Sequence, residues 1–214
     1  MRRSVGPIDI ANARQGSKGP QKVNDVTTID HYLVALGGNL PSEAGSSAQT
    51  LRSALTALTD AGAEIHAVSP FYSTPCFPAG AGPDYVNAAA RIALDVAPDQ
   101  MLALLHRIEA GFGRMRTRRW GRRTLDLDLL ACGAQVLPDI AGYNAWRALP
   151  LDAQMRRAPD QLILPHPRMH ERAFVLVPLA DVAPNWRHPV LGCTVREMIA
   201  DLPEDDVRAV RRLP

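Results

Sequence analysis

The chain is almost free of lysine. Its 214 residues include 24 basic side chains, and only Lys18 and Lys22 are lysines; both precede residue 29. A phosphate loop of the G-x-x-x-x-G-K-[ST] type is therefore excluded, and so is a Schiff-base lysine anywhere in the body. Any phosphate chemistry must rest on arginine, backbone N–H groups and metal. Cysteine is scarce too. Cys76, Cys132 and Cys193 are odd in number, far apart and in no C-x-x-C pair, which argues against a disulfide framework or a structural zinc and fits a reducing cytoplasm. No apolar run approaches the ~18 residues of a membrane helix. Arg2-Arg3 is followed by no apolar stretch of the kind a secretory leader carries. The expectation is a cytoplasmic protein that meets neither membrane nor nucleic acid.

Charge divides the chain. Residues 1–28 hold five basic residues against Asp9 and Asp25, a net of +3, among Gly, Ser, Asn and Gln. They read as a disordered tail. The body from residue 29 is nearly neutral. At 46% hydrophobic and 21% charged, the composition is that of a globular domain.

Periodicity gives the order of elements. His31–Leu36 is a short apolar strand ended by a Gly37-Gly38-Asn39 turn. Residues 46–61 have helical spacing, with Ser46 or Ser47 as N-cap and Gly62 as stop. Strands follow at 63–72 and 85–95, separated by a Pro- and Gly-rich loop at 73–84. A helix at 99–111 leads through an arginine-loaded loop, 112–123, to a strand at 124–132. The order β-α-β-β-α-β predicts an α+β, ferredoxin-like fold: an antiparallel sheet with helices packed on one face, plus a C-terminal helical segment. Residues 138–160 read as an inserted loop. Residues 169–214 read as short helices broken by Pro178, Pro184, Pro189 and Pro203.

Two features carry chemistry. In 124–132, Leu125, Leu127 and Leu129 point one way and Asp126 and Asp128 the other. Side chains at i and i+2 share a strand face, roughly 6.6–7 Å apart at Cα. Two carboxylates so close repel unless something positive lies between them, and two Mg²⁺ ions about 3.5–4 Å apart would fit. The bland alternative is a solvated strand face. The preceding ten residues hold Arg114, Arg116, Arg118, Arg119, Arg122 and Arg123, with Trp120 among them. Arginine forks match phosphate oxygens. A cluster leading straight into a two-carboxylate strand suggests a nucleotide–metal site. The rival reading is a module for single-stranded nucleic acid, using Trp120 and the arginines; the near-neutral body counts against it.

The stretch Arg119-Trp-Gly-Arg-Arg-Thr-Leu-Asp-Leu-Asp128 resembles the signature of the 6-hydroxymethyl-7,8-dihydropterin pyrophosphokinase family. Ala35-Leu-Gly-Gly-Asn-Leu40, Ser69-Pro-Phe-Tyr-Ser-Thr-Pro75, Asp84-Tyr-Val-Asn-Ala88, Ile108-Glu109, Leu164-Pro-His-Pro-Arg-Met169 and Arg172-Ala-Phe174 agree in the same order. The resemblance implies a ferredoxin-like fold and transfer of diphosphate from ATP to the pterin hydroxymethyl group, releasing AMP. It implies Asp126 and Asp128 as ligands of two Mg²⁺, with Arg114 and Arg123 steadying the phosphates. Glu109, Arg116, Arg119, Trp120, His166 and Arg172 fall on the ATP side. Thr74, Pro75, Tyr85, Asn87 and Phe174 fall on the pterin side. Tyr85 and Phe174 could equally be core aromatics, and Glu109 and His166 surface residues. The expected partners are the two small molecules alone, on a monomer. The family pattern is Gly-Ser-Asn where this chain has Gly37-Gly38-Asn39, and Pro167 stands where an aromatic is common.

Overall fold

The computed structural model describes residues 31–76, 82–113 and 124–214. The elements are β1 (His31–Gly38), α1 (Ser47–Asp60), β2 (Glu64–Val68), β3 (Tyr72–Thr74), β4 (Tyr85–Ala93), α2 (Pro98–Gly111), β5 (Asp126–Cys132), α3 (Ile140–Arg147), α4 (Leu151–Arg156), α5 (Ala173–Val182), α6 (Val195–Ala200), α7 (Glu204–Ala209) and β6 (Arg211–Arg212). The sheet runs β5-β1-β4-β3-β6, with β2 also on β4, and every pairing is antiparallel.

The expected strand at 63–72 is broken. β2 and β3 lie end to end along β4, and Ser69, Pro70 and Phe71 face only Ala88 and Ala89. One extra residue makes a bulge. Ser69 bridges it: its N–H donates to Ala89 O, and its Oγ accepts from Ala89 N–H, both at 2.9 Å. Taken together, β1, α1, β2/β3, β4, α2 and β5 form the ferredoxin-like arrangement.

α1 begins where its sequence says. Ser46 and Gln49 close a capping box, and Gly62 beyond its end takes φ +92°. Pro98 opens α2, where its missing N–H costs nothing. Leu51, Ala54 and Leu58 of α1 and Met101, Leu105 and Ile108 of α2 pack on one sheet face. They meet Val34 and Leu36 of β1, Ile92 of β4, and Leu125, Leu127 and Leu129.

The C-terminal segment covers the opposite face. Leu176 and Leu179 of α5 and Met198 of α6 pack on Leu33, Ala89, Leu130 and Ala131. Pro178 does not break α5; it sits inside the helix, buried. Tyr72 O–H donates to Asp181 Oδ2 at 2.7 Å, tying α5 to β3. The 138–160 segment, expected as a loop, holds α3 and α4. Asp139 caps α3, and Tyr143 anchors it by a 3.0 Å hydrogen bond to His188. His188 Nδ1 accepts from Val190 and Leu191 N–H, so the ring proton lies on Nε2 and donates to Tyr143 Oη.

Gly37 and Gly38 also depart from expectation: they continue β1 rather than turn. Gly37 pairs with Asn87 on one side and Asp126 on the other. Among the described residues no helix is long and apolar enough to cross a membrane.

Candidate active site

The second sheet face is covered only in part. α5 starts at Ala173, and the strand ends beyond it carry Ala35 and Gly37, too small to fill the gap. A small open cleft of about 30 Å³ remains, lined by Ala35, Leu36, Gly37, Asn87, Asp126, Asp128, Phe174 and Val175. The two aspartates face it as the alternation of 124–132 requires, because Leu125, Leu127 and Leu129 are committed to the opposite core.

On the β4 side, Asn87 is buried and oriented. Its Nδ2 donates to Thr74 Oγ1 at 2.7 Å. That leaves Oδ1 on the Gly37 side, where a Cβ on Gly37 would lie 3.0 Å from it. Thr74 thus acts behind Asn87. Tyr85 stands directly opposite Thr74 in the ladder, and Pro75 follows Thr74 just before the described chain stops at Cys76. Neither lines the cleft. Phe174 does, and at 42% exposed it is no core aromatic.

Cationic and donor groups gather at the start of α5. The Arg172 guanidinium carbon lies 5.8 Å from the Phe174 ring centroid. Burial works against its charge, and the nearby Asp128 carboxylate works for it. His166 follows Pro165 on a segment hydrogen-bonded to β5, with its N–H on Leu130 O at 2.7 Å. Its Nδ1 accepts from Arg168 N–H at 3.2 Å, so the ring proton sits on Nε2. Loss of ring hydration, then the Arg172 charge, push its pKa from 6.5 down to about 3. With Nδ1 committed as an acceptor, His166 presents its Nε2–H as a donor.

Glu109 is not in the cleft. It is 1% exposed on the last turn of α2, and its Oε1 accepts from Leu127 N–H at 2.8 Å. Arg114, Arg116, Arg119, Trp120 and Arg123 lie outside the described residues. The flanks of their segment are joined, since Thr124 Oγ1 donates to Phe112 O at 2.9 Å.

Among the described residues no group of three or more His, Cys, Asp or Glu gathers as a self-contained metal cage. Two carboxylates on one strand face suit a hard cation that takes its remaining oxygens from water and phosphates, as Mg²⁺ does; they do not suit zinc. Sequence reasoning gave no role to Gly37 or Ala35. Their signal was present, as two small residues at i and i+2 on the strand that carries the family's glycine motif.

A family model described as 7,8-dihydro-6-hydroxymethylpterin-pyrophosphokinase (HPPK) matches residues 33–184. The chain is 38% identical over 187 residues to the 2-amino-4-hydroxy-6-hydroxymethyldihydropteridine pyrophosphokinase of Pseudomonas aeruginosa, covering 87% of this chain and 98% of the relative. It is 36% identical over 168 residues to the enzyme of the same name from Synechocystis, covering 78% and 73%. It is also similar in fold to a crystal structure of Plasmodium falciparum HPPK-DHPS, with a TM-score of 0.56 at 15% identity. That match covers 80% of this chain and 45% of the other, and it speaks to fold alone.

Proposed function

This chain belongs to the 7,8-dihydro-6-hydroxymethylpterin pyrophosphokinase family, and from that premise we propose how its cleft divides the work. The reaction is pyrophosphoryl transfer to hydroxymethyldihydropterin in folate biosynthesis, and enzymes of this family use ATP as co-substrate.

The pterin lies over Gly37. Asn87 Oδ1 accepts from its ring N–H groups, and Phe174 stacks on its face. Thr74 keeps the amide from turning over. Tyr85 and Pro75 belong to the outer wall of the same pocket. The hydroxymethyl arm points along β1 toward β5, so the attacking oxygen arrives beside Asp126 and Asp128.

The triphosphate lies on the β5 side. ATP brings about four negative charges, and catalysis of its transfer is mostly positioning and charge stabilisation. Arg172 supplies a cation fixed by its surroundings, and His166 donates through Nε2 without changing charge. Arg114 and Arg123 act on the transferring group; Arg116, Arg119 and Trp120 act on the nucleotide. Those five roles rest on the sequence resemblance. Asp126 and Asp128 would hold Mg²⁺, two ions in this reading. The metal would supply Lewis-acid polarisation of phosphate oxygens and lower the pKa of the attacking hydroxyl. No separate general base is assigned; an aspartate beside the hydroxyl takes the proton. The same reading makes the protein a cytoplasmic monomer whose partners are its two substrates.

One observation carries this assignment: Asn87, Gly37 and Asp126 stand side by side in register on three adjacent strands, so a pterin-reading amide and a metal-holding carboxylate share one floor. Incubation with ATP, Mg²⁺ and the hydroxymethyl pterin should release AMP. Asp126→Asn and Asp128→Asn should abolish that release, and unchanged turnover in either would sink the carboxylate assignment.

A further inference from the structure

β5 is the end strand of the sheet. On one side it pairs with β1, where Asp126 meets Gly37 and Asp128 meets Ala35. Its other side has no partner strand; the His166 N–H reaches it at Leu130 O, three residues beyond Leu127, and edge strands slip and open where they are uncovered. Leu127 lies between the two aspartates. Its side chain is in the core, and its N–H turns away from β1 to meet Glu109 Oε1 at 2.8 Å. Two residues before Asp126, the Thr124 hydroxyl holds Phe112 O at the end of α2. The last turn of α2 and the residue after it therefore grip the start of β5 twice.

We propose that Glu109 is a positioning residue: by holding the Leu127 amide from the open edge, it fixes the backbone from which Asp126 and Asp128 both project. The placement explains an otherwise costly choice. A carboxylate at 1% exposure is expensive in a core, and a leucine would pack there with no desolvation cost. What a leucine cannot do is accept a hydrogen bond from a strand N–H. A side-chain oxygen of this reach does so. The role differs from touching the nucleotide. Glu109 acts through Leu127, and the spacing of the two aspartates depends on it. The pterin side, built on β4 and α5, does not.

This inference rests on the reading of Asp126 and Asp128 as the metal- and phosphate-side carboxylates, and two variants separate it from that reading. Glu109→Gln keeps the oxygen and its reach but loses the charge. Glu109→Asp keeps the charge but draws the oxygen back by one methylene. Amide exchange at Leu127 is measured by NMR without metal or nucleotide, followed by titrations with ATP plus Mg²⁺ and with the pterin. In Glu109→Gln, Leu127 stays protected and both affinities stay near wild type. In Glu109→Asp, Leu127 exchanges faster and ATP–Mg²⁺ binds about 10-fold or more weakly, while pterin binding is unchanged. Glu109→Asp matching wild type at Leu127, or Glu109→Gln losing as much ATP–Mg²⁺ affinity as Glu109→Asp, overturns the proposal. Full ATP–Mg²⁺ affinity in Asp126→Asn and Asp128→Asn would instead sink the reading of the carboxylates and leave the Leu127 result standing by itself.

Discussion

Gly37 and Asn87 face each other across β1 and β4 with no room for a methyl group between them: a Cβ on Gly37 would stand 3.0 Å from Asn87 Oδ1. Asn87 cannot yield, because it is buried and its other end is held by Thr74. Gly37→Ala should therefore push the amide off its bond or tilt the strand. Overpacking of this kind costs roughly 1–3 kcal/mol. The expected result is a lowered melting temperature with a larger KM for pterin and little change in KM for ATP. Steady-state kinetics with each substrate varied in turn would show it, and equal damage to both KM values would place the clash elsewhere.

Thr74 should matter through Asn87 alone. Thr74→Val keeps the shape and removes the acceptor for Asn87 Nδ2. The amide is then free to rotate, and part of the pterin population meets the wrong edge. Asn87→Ala removes the proposed pterin-reading group altogether. A lost partner for a buried polar group costs about 1–3 kcal/mol, roughly 5- to 150-fold in affinity. Asn87→Ala should fall in that range for pterin, and Thr74→Val at its low end, with ATP binding unchanged in both. Calorimetric titration decides the matter; a melting temperature that drops with no change in pterin affinity would make the pair purely structural.

The aspartates should be dispensable for folding. Both are partly exposed in the cleft, while the leucines between and beside them hold the core. Asp126→Asn and Asp128→Asn preserve volume, so thermal melting should stay within a few degrees of wild type. Turnover should fall by about 100-fold or more, the scale of removing one electrostatic stabiliser of a transition state. Melting curves and AMP release on the same preparations test both halves.

Acid should loosen the region around α3. His188 is 0% exposed, and burial, then the neighbouring His170, lower its pKa from 6.5 to about 4. Its Nδ1 faces two backbone N–H donors, so a second ring proton has no acceptor there. The folded pKa lies below the unfolded one. Between pH 6.5 and about 4 the unfolded chain therefore binds more protons, and stability falls as pH falls. His188 alone should account for about 2 kcal/mol between pH 7 and pH 5. His166, lowered to about 3, adds to the same slope. A melting temperature that is flat from pH 7 down to pH 5 would contradict this.

Much of the site was legible because its signals are local. A strand has a period of two, so Asp126 and Asp128 had to share a face once Leu125, Leu127 and Leu129 were given to the core. Capping chemistry fixed α1 within a residue of its observed start, because Ser46 and Gln49 act on their own turn. The order of elements followed from periodicity, and it is the order of a ferredoxin-like sheet. The absence of lysine beyond residue 28 excluded whole classes of phosphate site before any element was placed.

The chain read by itself could not decide what depends on register and on packing between distant segments. Gly37 and Gly38 look like a turn because glycine usually marks one; here they extend β1 by pairing with β4, and at Gly37 the Asn87 amide approaches closely. Pro178 looks like a helix breaker, yet burial against the sheet holds α5 intact around it. Glu109 looks like a solvated helix residue, and only the fold reveals that it closes the open edge of β5. Sequence thus determined which side chains could do the chemistry, because residue type and strand alternation are properties of neighbours along the chain. Tertiary structure decided which of them share one cleft, because Asn87, Asp126 and Phe174 are brought to Gly37 only by cross-strand pairing and by the docking of α5.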